Sequence, residues 1–289
     1  MIIDLPSINL NNKTVLVRCD FNVPMKAGEI ADPSRIDATL ETIRFITGQG
    51  ARAVVLCSHL GRPKKPSPEL SLKPVAHYLS AVLGSRVLPA PDCVGDATLR
   101  MIDSLPDGGV LLLENLRFHP EEEANDPEFA RDLARGKQVY VNDAFATAHR
   151  AHASTVGVAR FLNQRAAGLL MMRELEALQV LTRDPAHPYV AILGGAKVKD
   201  KIGMIRNLLN KVDVLLVGGA MAYTFLEAQG LPVGKSKVEE DKLGLARELL
   251  SEAASRHVKL VLPSDHVVVS RLTADAPRRV VTSISAPRP

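Results

Sequence analysis

The sequence predicts an α/β fold in two lobes, each a parallel sheet wrapped by helices, with one helix joining them. Three observations carry this. Short apolar runs rich in β-branched residues recur, each running into a polar cluster and then a helical pattern. The runs are apolar throughout rather than alternating, as strands covered on both faces are. One long amphipathic stretch, closed by prolines, interrupts the rhythm once, after which it restarts.

In order, strands are read at Thr14–Val17, Ala53–Cys57, Val110–Leu113 and Gln138–Val141, with helices over Arg35–Gly48 and Ser71–Leu83. Gly168–Leu181 has apolar residues at helical spacing, and the segment from Asp184 to Pro188 breaks it. The domain limits are therefore set at 1–167 for the first lobe, 168–185 for the joining helix and 186–289 for the second lobe. Strands resume at Val190–Leu193, Val212–Val217 and Val258–Leu262, and residues 278–289 add at most one more before a proline-broken tail.

Composition narrows the function. The 289 residues are 46% hydrophobic and 24% charged, with 36 Lys+Arg against 32 Asp+Glu for a net charge of +4. That mild excess, with 4% aromatics and no Trp, argues against nucleic acid and suits an enzyme that gathers arginines around small anions. Cys19, Cys57 and Cys93 are odd in number and widely spaced, so a disulfide framework is not expected and a reducing, cytoplasmic setting is. The start MIIDLPSINLNNK lacks the layout of a signal peptide, and no apolar run reaches about 18 residues, so no membrane association is expected.

In doubly wound sheets, ligands bind beyond the carboxyl ends of the strands. The clusters there supply Asp20, Asn22, His59, Arg62, Arg117 and Arg150, with Arg35 near the start of the following helix. Each arginine alone reads as a surface salt bridge. Together, Arg35, Arg62, Arg117 and Arg150 read as a pocket for phosphate and carboxylate, both of which fit a guanidinium fork. In YVAILGGAKVKDKI, Tyr189 to Ile202, a strand ends at Gly194–Gly195 and lysines 197, 199 and 201 follow. Strand, glycine turn and helix start let backbone N–H groups approach an anion, with Lys197 and Lys201 on one helix face. The other reading is an ordinary turn with a solvated basic face, since neither Walker A nor GxGxxG is present.

Other candidates are weaker. His149 and His152 lack a third ligand at suitable spacing and read as structural, so no metal site is assigned. Glu121–Glu123 reads as a solvated face, and Asp143 as a general base or as a cap or turn residue. Gly230–Ser236, GLPVGKS, is one residue short of a P-loop and follows a helix-like segment.

Taken together, VRCDFNVP, SRIDAT, SHLGRP, LENLRFHPEEE, VNDAFATAHRAHAST, LGGAKVKDKI, VGGAMAYTFL and VGKSKVEEDK resemble the signatures of the phosphoglycerate kinase family, in family order, from about Lys13 to Ile284. The resemblance implies two Rossmann-like lobes and reversible phosphoryl transfer between 1,3-bisphosphoglycerate and ADP, giving 3-phosphoglycerate and ATP in glycolysis. It implies a substrate site of Asp20, Phe21, Asn22, Arg35, His59, Leu60, Gly61, Arg62, Arg117 and Arg150. It further implies a nucleotide site of Gly194, Lys197, Lys201, Gly218 and Gly219, with Arg35 and Lys197 nearest the group in flight. Mg²⁺ would accompany ATP or ADP, and a monomer is expected. Phosphoryl transfer needs positioning and positive charge rather than a covalent nucleophile, which agrees with the absence of a triad.

Family members continue for roughly a hundred further residues, through motifs like WMGLDIGP, WNGP and GGGDS. These carry donors to the phosphoryl group and an aspartate that anchors Mg²⁺. Losing one such donor typically costs about 10²–10³ in rate, so an incomplete second lobe and reduced activity are expected of these 289 residues. A homologue that binds 3-phosphoglycerate without transferring anything is the alternative. A nicotinamide-dependent dehydrogenase has little support, because no GxGxxG follows a strand.

Overall fold

A computed structural model of the chain describes residues 2–183, 185–271 and 273–282. The chain divides into two compact units, Met1–Leu178 and Gln179–Pro289.

The first unit runs β1 (Thr14–Arg18), β2 (Met25–Lys26), β3 (Glu29–Ile30), α1 (Ser34–Gly48), β4 (Ala53–Cys57), α2 (Lys73–Leu83), β5 (Val87–Pro89) and α3 (Asp96–Asp103). It continues with β6 (Gly109–Leu112), α4 (Pro120–Ala124), α5 (Pro127–Ala134), β7 (Val139–Asn142), α6 (Phe145–Ala148), β8 (Gln164–Ala167) and α7 (Leu169–Arg183), the last crossing into the second unit. Six strands form one parallel sheet in the order β5-β6-β4-β1-β7-β8.

The two-residue period of a strand explains why these runs are apolar at every position. Val15, Val17, Val54, Leu56, Val110, Leu112, Val139 and Val141 pack on one face against Ile43 and Ile46 of α1 and Leu79 of α2. The residues between them, including Leu16, Val55, Leu111 and Tyr140, pack on the other face against Ile102 of α3 and Leu133 of α5. From β1 the chain steps to β4 and outward, then returns to place β7 on the far side of β1. The order therefore reverses between β1 and β7, and a crevice opens at their carboxyl ends. Strands β5 and β8 escaped the sequence reading: one is three residues long and the other, QRAA, has no β-branched run.

The second unit runs β9 (Val190–Gly194), α8 (Ile202–Leu209), β10 (Val214–Gly218), α9 (Met221–Ala228), α10 (Leu243–Ser255) and β11 (Lys259–Val261), then a hairpin of β12 (His266–Val269) and β13 (Arg278–Val281). Its parallel sheet has the order β11-β10-β9. Leu193, Leu215 and Val217 join Ile205, Phe225 and Leu249 in one core on the helix side. Ile192, 79% exposed, shows that the opposite face is open among the described residues. The strand anticipated in the last stretch is β13, and residues 283–289 lie outside the described residues.

Candidate functional site

Because β1, β4, β6 and β7 are parallel, the loops that follow them gather at one edge of the first sheet. One cavity of about 310 Å³ lies there, lined by Asp20, Asn22, Arg35, His59, Gly61, Arg62, Arg117, Ala146, Thr147 and Arg150. All four arginines singled out in the sequence thus line a single concavity, alongside Asp20, Asn22 and His59.

Hydrogen bonds between the loops set this geometry. Gly61 is the knot: its N–H donates to Asn22 Oδ1 at 2.8 Å, and its carbonyl accepts from Arg117 Nη1 at 2.7 Å. Its φ of +64° falls in the left-handed region, and a Cβ there would stand 2.9 Å from Leu70 Cδ2, so glycine suits the turn. Buried Asn115 welds the β4 and β6 loops. Its Oδ1 accepts from Leu60 N and Arg117 N, and its Nδ2 donates to Leu60 O and Leu70 O. Arg117 also meets Glu123 at 3.1 Å, and burial draws its pKa down. Arg35, half exposed, is steadied by Asp20 at 2.7 Å. Burial, then the positive charge of Arg18, Arg117 and Arg150, pushes the His59 pKa down to about 2, so the ring is neutral.

Phe21 and Leu60 depart from the expected substrate set. Their side chains are 0% and 1% exposed and belong to the core. Their N–H groups are held by Ser58 Oγ and Asn115 Oδ1, so both residues hold the loops in place rather than line the cavity. Ala146 and Thr147, which do line it, carried no sequence signal because neither has distinctive chemistry. Glu121–Glu123 is not uniformly a solvated face: Glu122 is 1% exposed and accepts from Ser154 N and Ser154 Oγ. A serine that can satisfy a carboxylate from inside was invisible to a charge-run reading. Asp143 takes the capping role, its Oδ1 accepting from Met171 N at 3.0 Å in the first turn of α7. Burial pushes its pKa up. His149 is exposed, and half-buried His152 stands 3.8 Å from Glu122.

In the second unit, Gly194–Gly195 ends β9 and Gly218–Gly219 ends β10, and the two turns touch through their backbones. Gly219 has φ +70°, and a Cβ there would lie 2.9 Å from Gly195 O and 3.0 Å from Gly195 N. Met221 N, at the head of α9, donates to Gly195 O at 2.9 Å. Lys201 runs back over the turn, its Cε 3.8 Å from the place of a Gly195 Cβ. The helix does not start where the lysine spacing suggested. A 3₁₀ turn covers Lys199–Lys201 and α8 begins at Ile202, so exposed Lys197 stands in the loop and shares no helix face with Lys201. A distant residue meets the donors there: Glu239 accepts from Val198 N and Lys199 N, filling with a protein carboxylate the donors that would open a helix toward an anion. Lys197 and Lys199, exposed, and Lys201, half-buried, make this loop cationic.

Asp92, Cys93 and His119 form a group with metal-binding chemistry in the first unit. His119 Nε2 and Asp92 Oδ1 are hydrogen-bonded at 2.6 Å, and burial holds the Cys93 thiol protonated while it donates to Glu114 O. The trio is satisfied as a structural clasp. Near the glycine turns, the Glu239 carboxylate is engaged by the backbone of the lysine loop.

Arginine forks at a sheet's switch point and lysines beside paired glycine turns define an α/β protein of the phosphate-handling class. The sequence profile described as "Phosphoglycerate kinase" matches residues 5–288. Phosphoglycerate kinase of Moorella thermoacetica is 56% identical over 284 residues, covering 98% of this chain and 72% of that protein. The cytosolic phosphoglycerate kinase of Triticum aestivum is 52% identical, with 98% and 71% covered. The solved phosphoglycerate kinase of Coxiella burnetii superposes with a TM-score of 0.84 at 40% identity, covering 100% of this chain and 72% of that one. The chain belongs to the phosphoglycerate kinase family, whose members are phosphotransferases.

Proposed function

We propose that this chain is a phosphoglycerate kinase in activity as well as in family. The carboxylate and phosphate of 3-phosphoglycerate bind in the arginine-lined cavity, and the phosphates of ADP or ATP bind at Lys197, Lys201 and the Gly194 and Gly218–Gly219 turns. The reaction moves one phosphoryl group. The acyl O–P bond of 1,3-bisphosphoglycerate breaks, a new O–P bond forms to the terminal phosphate of ADP, and 3-phosphoglycerate and ATP leave. Mg²⁺ would come with the nucleotide, bridging its phosphate oxygens as divalent ions do in phosphoryl transfer. Cytosolic naming of the wheat relative supports a cytoplasmic setting.

The observation that supports this reading most is the meeting of Arg35, Arg62, Arg117, Arg150 and His59 around one cavity. A three-carbon acid phosphate carries two anionic ends, and several forks are the matching chemistry. Arg35, half exposed and paired with Asp20 at the rim of the cavity, presents its guanidinium to a bound phosphate.

A coupled assay with ADP and 1,3-bisphosphoglycerate tests transfer: turnover in the range of about 1–100 s⁻¹ supports the kinase. The alternative is a chain that binds 3-phosphoglycerate and transfers nothing; this chain spans 72% of the length of the Moorella thermoacetica relative. Absent turnover with intact 3-phosphoglycerate affinity would establish that second reading. Arg62→Ala should weaken 3-phosphoglycerate binding by isothermal titration about tenfold or more, one charge-assisted hydrogen bond being worth about 1.5–3 kcal/mol.

A further inference from the structure

Behind the cavity wall runs a line of buried polar groups that the reaction as described does not use. Arg18, the last residue of β1, is 1% exposed. Its Nε donates to Ser154 Oγ at 2.8 Å, its Nη1 donates to Cys19 O, and its Nη2 meets His59 Nδ1 at 3.2 Å. Ser154 Oγ donates onward to Glu122 Oε1 at 2.5 Å, and Ser154 N donates to Glu122 Oε2 at 2.8 Å. One hydroxyl thus stands between a buried guanidinium and a buried carboxylate. It accepts from the first and donates to the second, the orientation in which both are served.

The chemistry of the pair at the wall is one-sided. Arginine has five N–H donors and no lone pair, so the ring nitrogen it meets must be the acceptor. Imidazole in its neutral form carries one proton, which must then sit on Nε2. With Nδ1 occupied by Arg18, Nε2–H is the polar edge left to the cavity that His59 lines.

We propose that Arg18, braced through Ser154 to Glu122, is a positioning residue that fixes His59 as a neutral Nε2–H donor to the anion in the cavity. The inference rests on the cavity being the 3-phosphoglycerate site. It divides labour within the site: the four lining guanidiniums supply charge, and His59 supplies a directed hydrogen bond whose state does not change through the neutral pH range. The groups facing His59 favour that state from every side. Arg18 comes from β1, Arg117 from the β6 loop, and Arg150 and His152 from the segment after β7; burial and these neighbours all oppose a second ring proton. The opposite tautomer would set N–H against N–H at the Arg18 contact.

The test is a long-range ¹H–¹⁵N correlation spectrum of the histidine rings in the full chain, with His59 assigned by His59→Gln. The expected result is an unprotonated Nδ1 and a protonated Nε2 that persist from about pH 8 to about pH 5, where a free histidine would titrate near about 6.5. Arg18→Lys keeps a donor-only partner and should keep the tautomer; Ser154→Ala, which removes the brace, should give mixed tautomers or a rising pKa. A protonated Nδ1 in the wild-type chain, or titration near neutrality, overturns the proposal without recourse to any variant. Retention of a pure Nε2–H state in a folded Arg18→Met variant overturns it as well. Added 3-phosphoglycerate should shift the Nε2–H resonance. If the tautomer is as described but no shift follows saturating ligand, the assignment of the cavity fails while the Arg18–His59 pairing stands.

Discussion

Two alanine substitutions at glycine should move stability in opposite directions, and the structure gives the reason for each. At Gly168 a Cβ would fall 2.2 Å from Oδ1, 2.4 Å from Cγ and 2.8 Å from Cβ of Asp143. Asp143 is 0% exposed and cannot swing into solvent. Making room breaks its 3.0 Å bond from Met171 N, a bond to a carboxylate worth about 1.5–3 kcal/mol. Overpacking adds about 1–3 kcal/mol. Gly168→Ala should therefore cost about 3–5 kcal/mol, a large part of the ~5–15 kcal/mol typical of a domain. At Gly203, exposed near the start of α8, a Cβ meets nothing within 4 Å. Gly203→Ala should stabilise by about 0.5–1 kcal/mol, through helix propensity and a less mobile unfolded chain. Equilibrium urea unfolding followed by circular dichroism measures both. A loss below about 1 kcal/mol at Gly168, or any loss at Gly203, would refute the reasoning from Cβ geometry.

Asn115→Ala strips four hydrogen bonds, two from buried Leu60 and two from half-buried Leu70 and Arg117, and should cost about 3 kcal/mol in the same urea experiment, because the Leu60 and Leu70 carbonyls lose this partner. Lys137 is 7% exposed, and burial draws its pKa down from 10.5 to about 8. Above the folded pKa the unfolded chain still holds the proton that the folded chain has lost, so this penalty is full below about pH 8 and fades as pH rises toward the unfolded value. Lys137→Met should thus stabilise most at neutral pH, and its advantage over wild type in urea midpoint should narrow by about pH 10. Glu239→Ala frees Val198 N and Lys199 N and should raise the KM for ADP several-fold while leaving 3-phosphoglycerate affinity unchanged. Equal KM values in steady-state kinetics would show that the carboxylate does not position the lysine loop.

The sheet of the first unit was legible because its strands are buried on both faces, so periodicity and burial spoke together at β1, β4, β6 and β7. Arg62, Arg117 and Arg150 were legible because each stands in the loop that follows a strand of the parallel sheet, where the topology gathers loops, and Arg35 because it opens the helix after the first of them. What failed to show had contacts from far along the chain. Glu122 finds Ser154 from 32 residues away, and the Val198 N–H finds Glu239 from 41. Local pattern made the first a solvated charge and the second a free donor. Phe21 and Leu60 sit among cavity residues in the sequence, yet in a turning loop a neighbour faces the core as readily as the ligand.

The meeting of Gly195 and Gly219 has a mechanical consequence. A side chain at Gly219 would have to displace the Gly195 peptide itself, which has no rotamer through which to give way. That same peptide's carbonyl accepts from Met221 N, so the strain would fall on the bond that ties β9's turn to the head of α9. A single methyl group there would therefore disturb two turns and a helix start at once.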